Sequence, residues 1–101
     1  MALLGRMETT PEVISDRTED IRELMLTELG EFGARNHPAL TRRVRYCPDV
    51  QGLWYARSEL MAILAALHGE TIAARKINGI SKKFKGLIPK SLTNAPGKKY
   101  R

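Results

Sequence analysis

The chain has one cysteine, Cys47, and two histidines, His37 and His68, among 101 residues. One thiol closes no intramolecular disulfide, and one cysteine with two histidines cannot supply a structural zinc set. A fold resting on its hydrophobic core alone is expected, in the cytoplasm, and the length suffices for one such core. Aromatic residues are as sparse, with two Phe, three Tyr and one Trp, so the core should be built from Leu, Ile, Met and Ala. Long apolar runs are missing too. Met1 to Arg6 is too short for the apolar segment of a signal peptide, and no stretch approaches the roughly 18 uninterrupted apolar residues of a membrane span.

Catalytic signatures are equally lacking. The glycines are scattered and none follows a predicted strand, which excludes a phosphate-cradling loop. Neither histidine stands three residues after an acid, so Glu19, Asp20, Glu23, Glu28 and Glu31 form no Glu-x-x-His metal pair and are expected to be a solvated helix face. Cys47 lies beside Pro48 among arginines, where positive charge favours the thiolate. His37 and His68 stand ten and 21 residues away without catalytic spacing, and Cys47 is expected to be a half-buried structural residue. His68 suits the C-terminal dipole of a helix, and His37 before Pro38 suits a loop. No enzyme, metal or cofactor is expected.

Acidic residues are absent from the last third. Residues 71–101 hold nine bases and no acid, residues 34–70 five bases and three acids, and residues 1–33 eight acids and three bases, within a net charge of +6. Arg75, Lys76, Lys82, Lys83, Lys85, Lys90, Lys98 and Lys99 would lie along phosphates and release counterions, or the same run complements the acidic first third within the fold. Arg42, Arg43, Arg45 and Tyr46 make a second basic cluster. With Trp54 and Tyr55 nearby in sequence it suits stacking with single-stranded nucleic acid or a protein interface, although Trp54 is expected in the core. A helix-turn-helix over Ser58–Phe84 fails on detail: Arg75 falls where a buried aliphatic residue belongs, and lysines suit phosphates better than base edges.

The periodicity is helical throughout, without internal repeats. Residues 1–9 and 90–101 are expected as flexible tails around one domain, 10–89. Thr10 caps a short helix from Pro11 to about Asp16. Thr18, followed by Glu19 and Asp20, starts a second that carries Ile21, Leu24, Met25, Leu29 and Phe32 on one face and ends near 34–36, with Gly30 and Gly33 weakening its last turns. Residues 39–46 suit a short helix or one strand of a hairpin returning through Leu53-Trp54-Tyr55; helix is preferred, because Asp49 as N-cap places Val50, Leu53, Trp54, Leu60, Met61, Leu64 and Leu67 on one stripe to His68, interrupted by Arg57. Gly69 ends it in the left-handed conformation. Ala56, Ala62, Ala65 and Ala66 on its other faces let helices approach closely. Ala73, Ile77, Ile80, Phe84 and Leu87 then mark a basic helix over 70–86, unless Asn78-Gly79 divides it.

The fold expected is therefore all-α, a small antiparallel bundle of three to five helices, with a core of Ile21, Leu24, Leu29, Phe32, Leu53, Trp54, Leu60, Leu64, Leu67, Ile77, Ile80 and Phe84. The function expected is a protein-interaction or oligomerising module, with an acidic protein or a second copy as partner and Leu26, Met61, Ile63 and Ile88 as apolar surplus for the interface. The alternative is a nucleic-acid or polyanion-binding accessory protein with little sequence specificity, using the basic C-terminal helix and tail.

Overall fold

The computed structural model describes residues 10–89. The two expected tails, and Lys90, Lys98 and Lys99 with them, lie outside the described residues. Within the described residues every regular element is an α-helix: α1 (Pro11–Asn36), α2 (Pro38–Tyr46), α3 (Val50–His68) and α4 (Glu70–Lys82).

Helix α1 corrects the expectation of two helices. Thr10 caps it, its hydroxyl accepting from the Val13 N–H at 3.2 Å, but Thr18 starts nothing. Arg17 keeps helical geometry, and the Thr18 hydroxyl turns back to donate to the Ile14 carbonyl at 2.6 Å, as a threonine inside a helix does. The break falls instead at Gly30, whose φ of 57° and ψ of −158° interrupt the helix before a last short stretch to Asn36. Only glycine adopts that conformation without strain. Beyond the kink, Gly33 is pressed so closely on the Leu29 side chain that a Cβ there would collide with it.

The 39–46 ambiguity resolves as helix α2, with Leu40, Thr41 and Val44 buried. Asp49 caps α3 as expected, accepting from the Gly52 N–H at 2.9 Å. Gly69, at φ 91°, ends α3 with its N–H on the Ala65 carbonyl, and its own carbonyl receives the Ala73 N–H, so one residue joins α3 to α4. Asn78-Gly79 does not divide α4. It ends at Lys82 rather than 86, because the N–H groups of Lys83, Phe84, Lys85 and Leu87 each bond three residues back. This is the tight pattern that commonly closes a helix.

One cluster of buried apolar side chains draws on all four helices and the turn after α4, from Ile21, Met25 and Leu29 through Leu40, Val44, Leu53, Ala56, Leu60 and Leu64 to Ala73, Ile80, Phe84 and Ile88. Helices α1 and α3 each touch every other helix, whereas α2 and α4 do not touch. Two expected core residues are corrected: Phe32 is 43% and Leu67 39% exposed. Phe32 lies past the Gly30 kink, and Leu67 lies in the last turn of α3, where the stripe outruns its cover. Leu24, Trp54 and Ile77 pack against the core half-buried.

Gly52 occupies the first turn of α3 because Cys47 leaves no room: the thiol donates to the Asp49 carbonyl at 3.3 Å and lies where a Cβ on residue 52 would be. Gly52→Ala should therefore lower the unfolding free energy by about 1–3 kcal/mol through overpacking. In a Cys47→Ala background the same change should be neutral or stabilising by up to about 1 kcal/mol, since alanine is the better helix former. Urea unfolding of the four proteins checks both signs.

Candidate functional site

The structure divides the bases into those that hold the fold and those left to solvent. Arg22 of α1 belongs to the first group. It forks onto Glu19 at 2.9 and 3.0 Å, and its Nη1 donates to the carbonyls of Val44 (2.8 Å) and Arg45 (3.1 Å) at the end of α2. Arg17, five residues earlier, donates through Nη2 to the carbonyls of Lys83 (2.9 Å) and Lys85 (2.7 Å) beyond α4. Helix C-termini leave such carbonyls without intrahelical partners. Two arginines of one helix thus cap two others.

Arg57 interrupts the α3 stripe for a reason. Its guanidinium lies 3.3 Å over the Trp54 ring, its Nε donates to the Trp54 carbonyl, and its Nη1 donates to the Ser81 hydroxyl at 2.8 Å. Trp54 in turn meets Phe84 edge-on at 5.0 Å. Burial lowers the Arg57 pKa, and the cation–π contact offsets part of that desolvation. Trp54 is therefore a packing residue whose face is already covered.

Two members of the sequence-predicted basic sets are also engaged. Lys76 of α4 pairs with Glu28 of α1 at 3.2 Å, and Arg43 of α2 with Glu59 of α3 at 2.6 Å. Lys83, exposed and without an ion pair among the described residues, lines an open groove of about 420 Å³ together with Arg17, Asp20 and Glu23 of α1. What remains is two separate sets with no ion pair among the described residues. Arg75 and Lys82, seven residues apart on the outer face of α4, are exposed, as is Lys85 after it. Arg42 and Arg45, one turn apart on α2 with Tyr46, are exposed as well. Helices α2 and α4 do not touch, so the two sets stand on separate elements.

The apolar surplus expected at an interface is corrected. Ile63 and Ile88 are each only 7% exposed, and Leu26 and Met61 pack half-buried on the core. A different surface is uncovered. Gln51, Tyr55, Ser58, Ala62 and Ala66 recur at three- and four-residue spacing along α3 and are all exposed. Among exposed positions of α3 only Glu59 carries a formal charge. Ala56 and Ala65, by contrast, face inward. Among the described residues no group of three or more His, Cys, Asp or Glu is placed to hold a metal ion, and no helix is long and apolar enough to cross a membrane.

Sequence reasoning passed over Arg17, Arg22 and the outer stripe of α3. The capping role of the arginines has no local signal, because their acceptors lie 22 to 68 residues away. The spacing of the α3 stripe was legible, but which face the fold leaves bare was not.

Arg22→Ala should cost about 1.5–3 kcal/mol, the range for hydrogen bonds from a charged donor, and more than Arg17→Ala, since the Arg22 side chain is only 14% exposed. Hydrogen bonding from Arg22 holds the Glu19 carboxyl below its ordinary pKa. That contribution is present above the unfolded-state pKa and disappears as pH falls through the lowered one. Thermal melts at neutral and acidic pH should show the gap between wild type and Arg22→Ala narrowing on the acid side. Comparison with protein-family models, with curated proteins and with solved structures gave no match to this chain.

Proposed function

We propose that this chain is an antiparallel helical bundle acting in the cytoplasm as a non-catalytic interaction module, one that self-associates through the outer face of α3. The uncharged stripe Tyr55, Ser58, Ala62 and Ala66, exposed beside Leu67, carries the reading. Small side chains let a second helix approach closely, and Tyr55, 59% exposed, supplies the type of aromatic anchor enriched at interfaces. A solvated helix face is ordinarily polar or charged. A stripe of tyrosine, serine and alanine costs little to desolvate. The strip is narrow beside the roughly 800 Å² per partner of a standard interface, which makes the dimer weak and concentration-dependent.

Light scattering after size exclusion, from low to high micromolar protein, should show mass rising toward a dimer. Ala62→Glu with Ala66→Glu should hold it at monomer while leaving the helical circular dichroism unchanged, because both positions are exposed. A wild-type protein that stays monomeric across the range would exclude self-association and move the reading to a different protein partner, an acidic one.

The absence of any acid over 71–89 favours a second reading, in which Arg75, Lys82 and Lys85 lie along a polyanion backbone with few base contacts. Duplex binding at low salt should then weaken steeply as salt rises, and Lys82→Ala with Lys85→Ala should flatten the slope of log K against log salt by about 1.8, at roughly 0.9 per phosphate contact on duplex DNA. Fluorescence anisotropy measures it.

A further inference from the structure

Helix α2 carries three arginines in nine residues, and the fold uses them differently. Arg43 faces α3 and is neutralised by Glu59. Arg42 and Arg45 point away from the core and line, with Ala34, Pro38, Thr41 and Tyr46, an open depression of about 250 Å³. No carboxylate lines it. Tyr46 stands at its edge, 72% exposed, the most exposed large hydrophobic side chain among the described residues.

The bland account is that arginines near the end of a helix answer its dipole. Here that task is already performed from outside the helix, since Arg22 donates to the carbonyls of both Val44 and Arg45. Arg42 and Arg45 are left exposed at positions about 4.5 Å apart along the helix axis, beside the exposed Tyr46 ring. The platform beneath them is fixed: Leu40, Thr41 and Val44 are buried, and the Thr41 hydroxyl donates to the His37 carbonyl.

We propose that this surface of α2 binds single-stranded nucleic acid, with Arg42 and Arg45 holding neighbouring phosphates and Tyr46 stacking a base. Arginine forks match phosphate oxygens in pairs, and aromatic stacking accepts every base. A single strand fits better than a duplex. Helix α2 is only about 14 Å long, the Arg43–Glu59 pair bounds the positive surface on one side, and α4, with the other free bases, does not touch it. The inference does not rest on the α3 face, and its failure is distinguishable from failure of the α4 reading because the two sets of bases can be altered separately.

Fluorescence anisotropy of the full chain with labelled oligothymidylate and with a duplex of equal length, from low to physiological salt, tests it. Binding to the strand should be salt-dependent, and Arg42→Ala with Arg45→Ala should reduce the slope of log K against log salt by about 1.4, at roughly 0.7 per contact for single strands. Tyr46→Ala should weaken strand binding about tenfold or more, and Tyr46→Phe should restore it, because stacking needs the ring and not the hydroxyl. All three positions are exposed, and unchanged circular dichroism confirms that the variants fold. Arg42→Gln with Arg45→Gln repeats the test with longer polar side chains. Absence of strand binding at low salt, or a triple Arg42→Ala, Arg45→Ala, Tyr46→Ala protein that binds as wild type does, would overturn the proposal. A preference for duplex that is lost on Lys82→Ala with Lys85→Ala would also overturn it, and assign nucleic acid to α4.

Discussion

A helix without a glycine at its C-terminus leaves carbonyls that must find donors elsewhere, and three of the four helices among the described residues are in that position: α1, where the Asn36 side chain donates to the Phe32 carbonyl, and α2 and α4. Cys47 and Lys83 follow α2 and α4 with ordinary negative φ. Arg22 of α1 meets the Val44 and Arg45 carbonyls of α2, and Arg17 meets those of Lys83 and Lys85 in the turn after α4, whose own last carbonyls are taken by the N–H groups of that turn. These bonds tie the ends of two helices that do not touch each other to one helix, α1. Helix α3, which ends on Gly69, needs no such help. The apolar core explains why the helices cluster. The arginine caps explain why α2 and α4 end beside the same half of α1.

The same economy of donors shapes the outside of the molecule. Arg17, Arg22, Arg43, Arg57 and Lys76 are all engaged with carbonyls, carboxylates or an aromatic face. The positive balance of the chain is thereby divided. Part of it is internal reinforcement, and part is presented on two helices that do not touch each other. Exposed ion pairs such as Arg43–Glu59 contribute at most about 1 kcal/mol, so their larger effect is to remove those charges from the surface that a polyanion would meet. Meanwhile the outer face of α3 carries almost no charge, which separates an uncharged surface from a basic one on neighbouring helices.

Much of the fold was readable in the sequence, and the reasons are local. Thr10 and Asp49 are cap residues followed by helical periodicity, and Gly69 stands directly after the last periodic position. These are short-range chemistry and survive folding unchanged. Thr18 misled because a threonine followed by acids has the same local appearance at a helix start as inside a helix already begun at Thr10. The end of α4 was placed too late because apolar spacing continues through Phe84 and Leu87 in a tighter turn that still buries Phe84. Phe32 and Leu67 have core spacing but stay exposed, the first past the Gly30 kink of α1 and the second in the last turn of α3.

The caps at Thr10 and Asp49, the end of α3 at Gly69, the all-α class and the uneven charge were thus determined by the sequence itself, since each depends on composition or on residues within a few positions of one another. Tertiary structure alone decided which arginines are caps and which face solvent, which flank of α3 is bare, and that the two basic clusters stand apart. Those outcomes depend on groups 16 to 68 residues away in the chain. A side chain's identity states what it can donate, and only the packed fold brings an acceptor within reach.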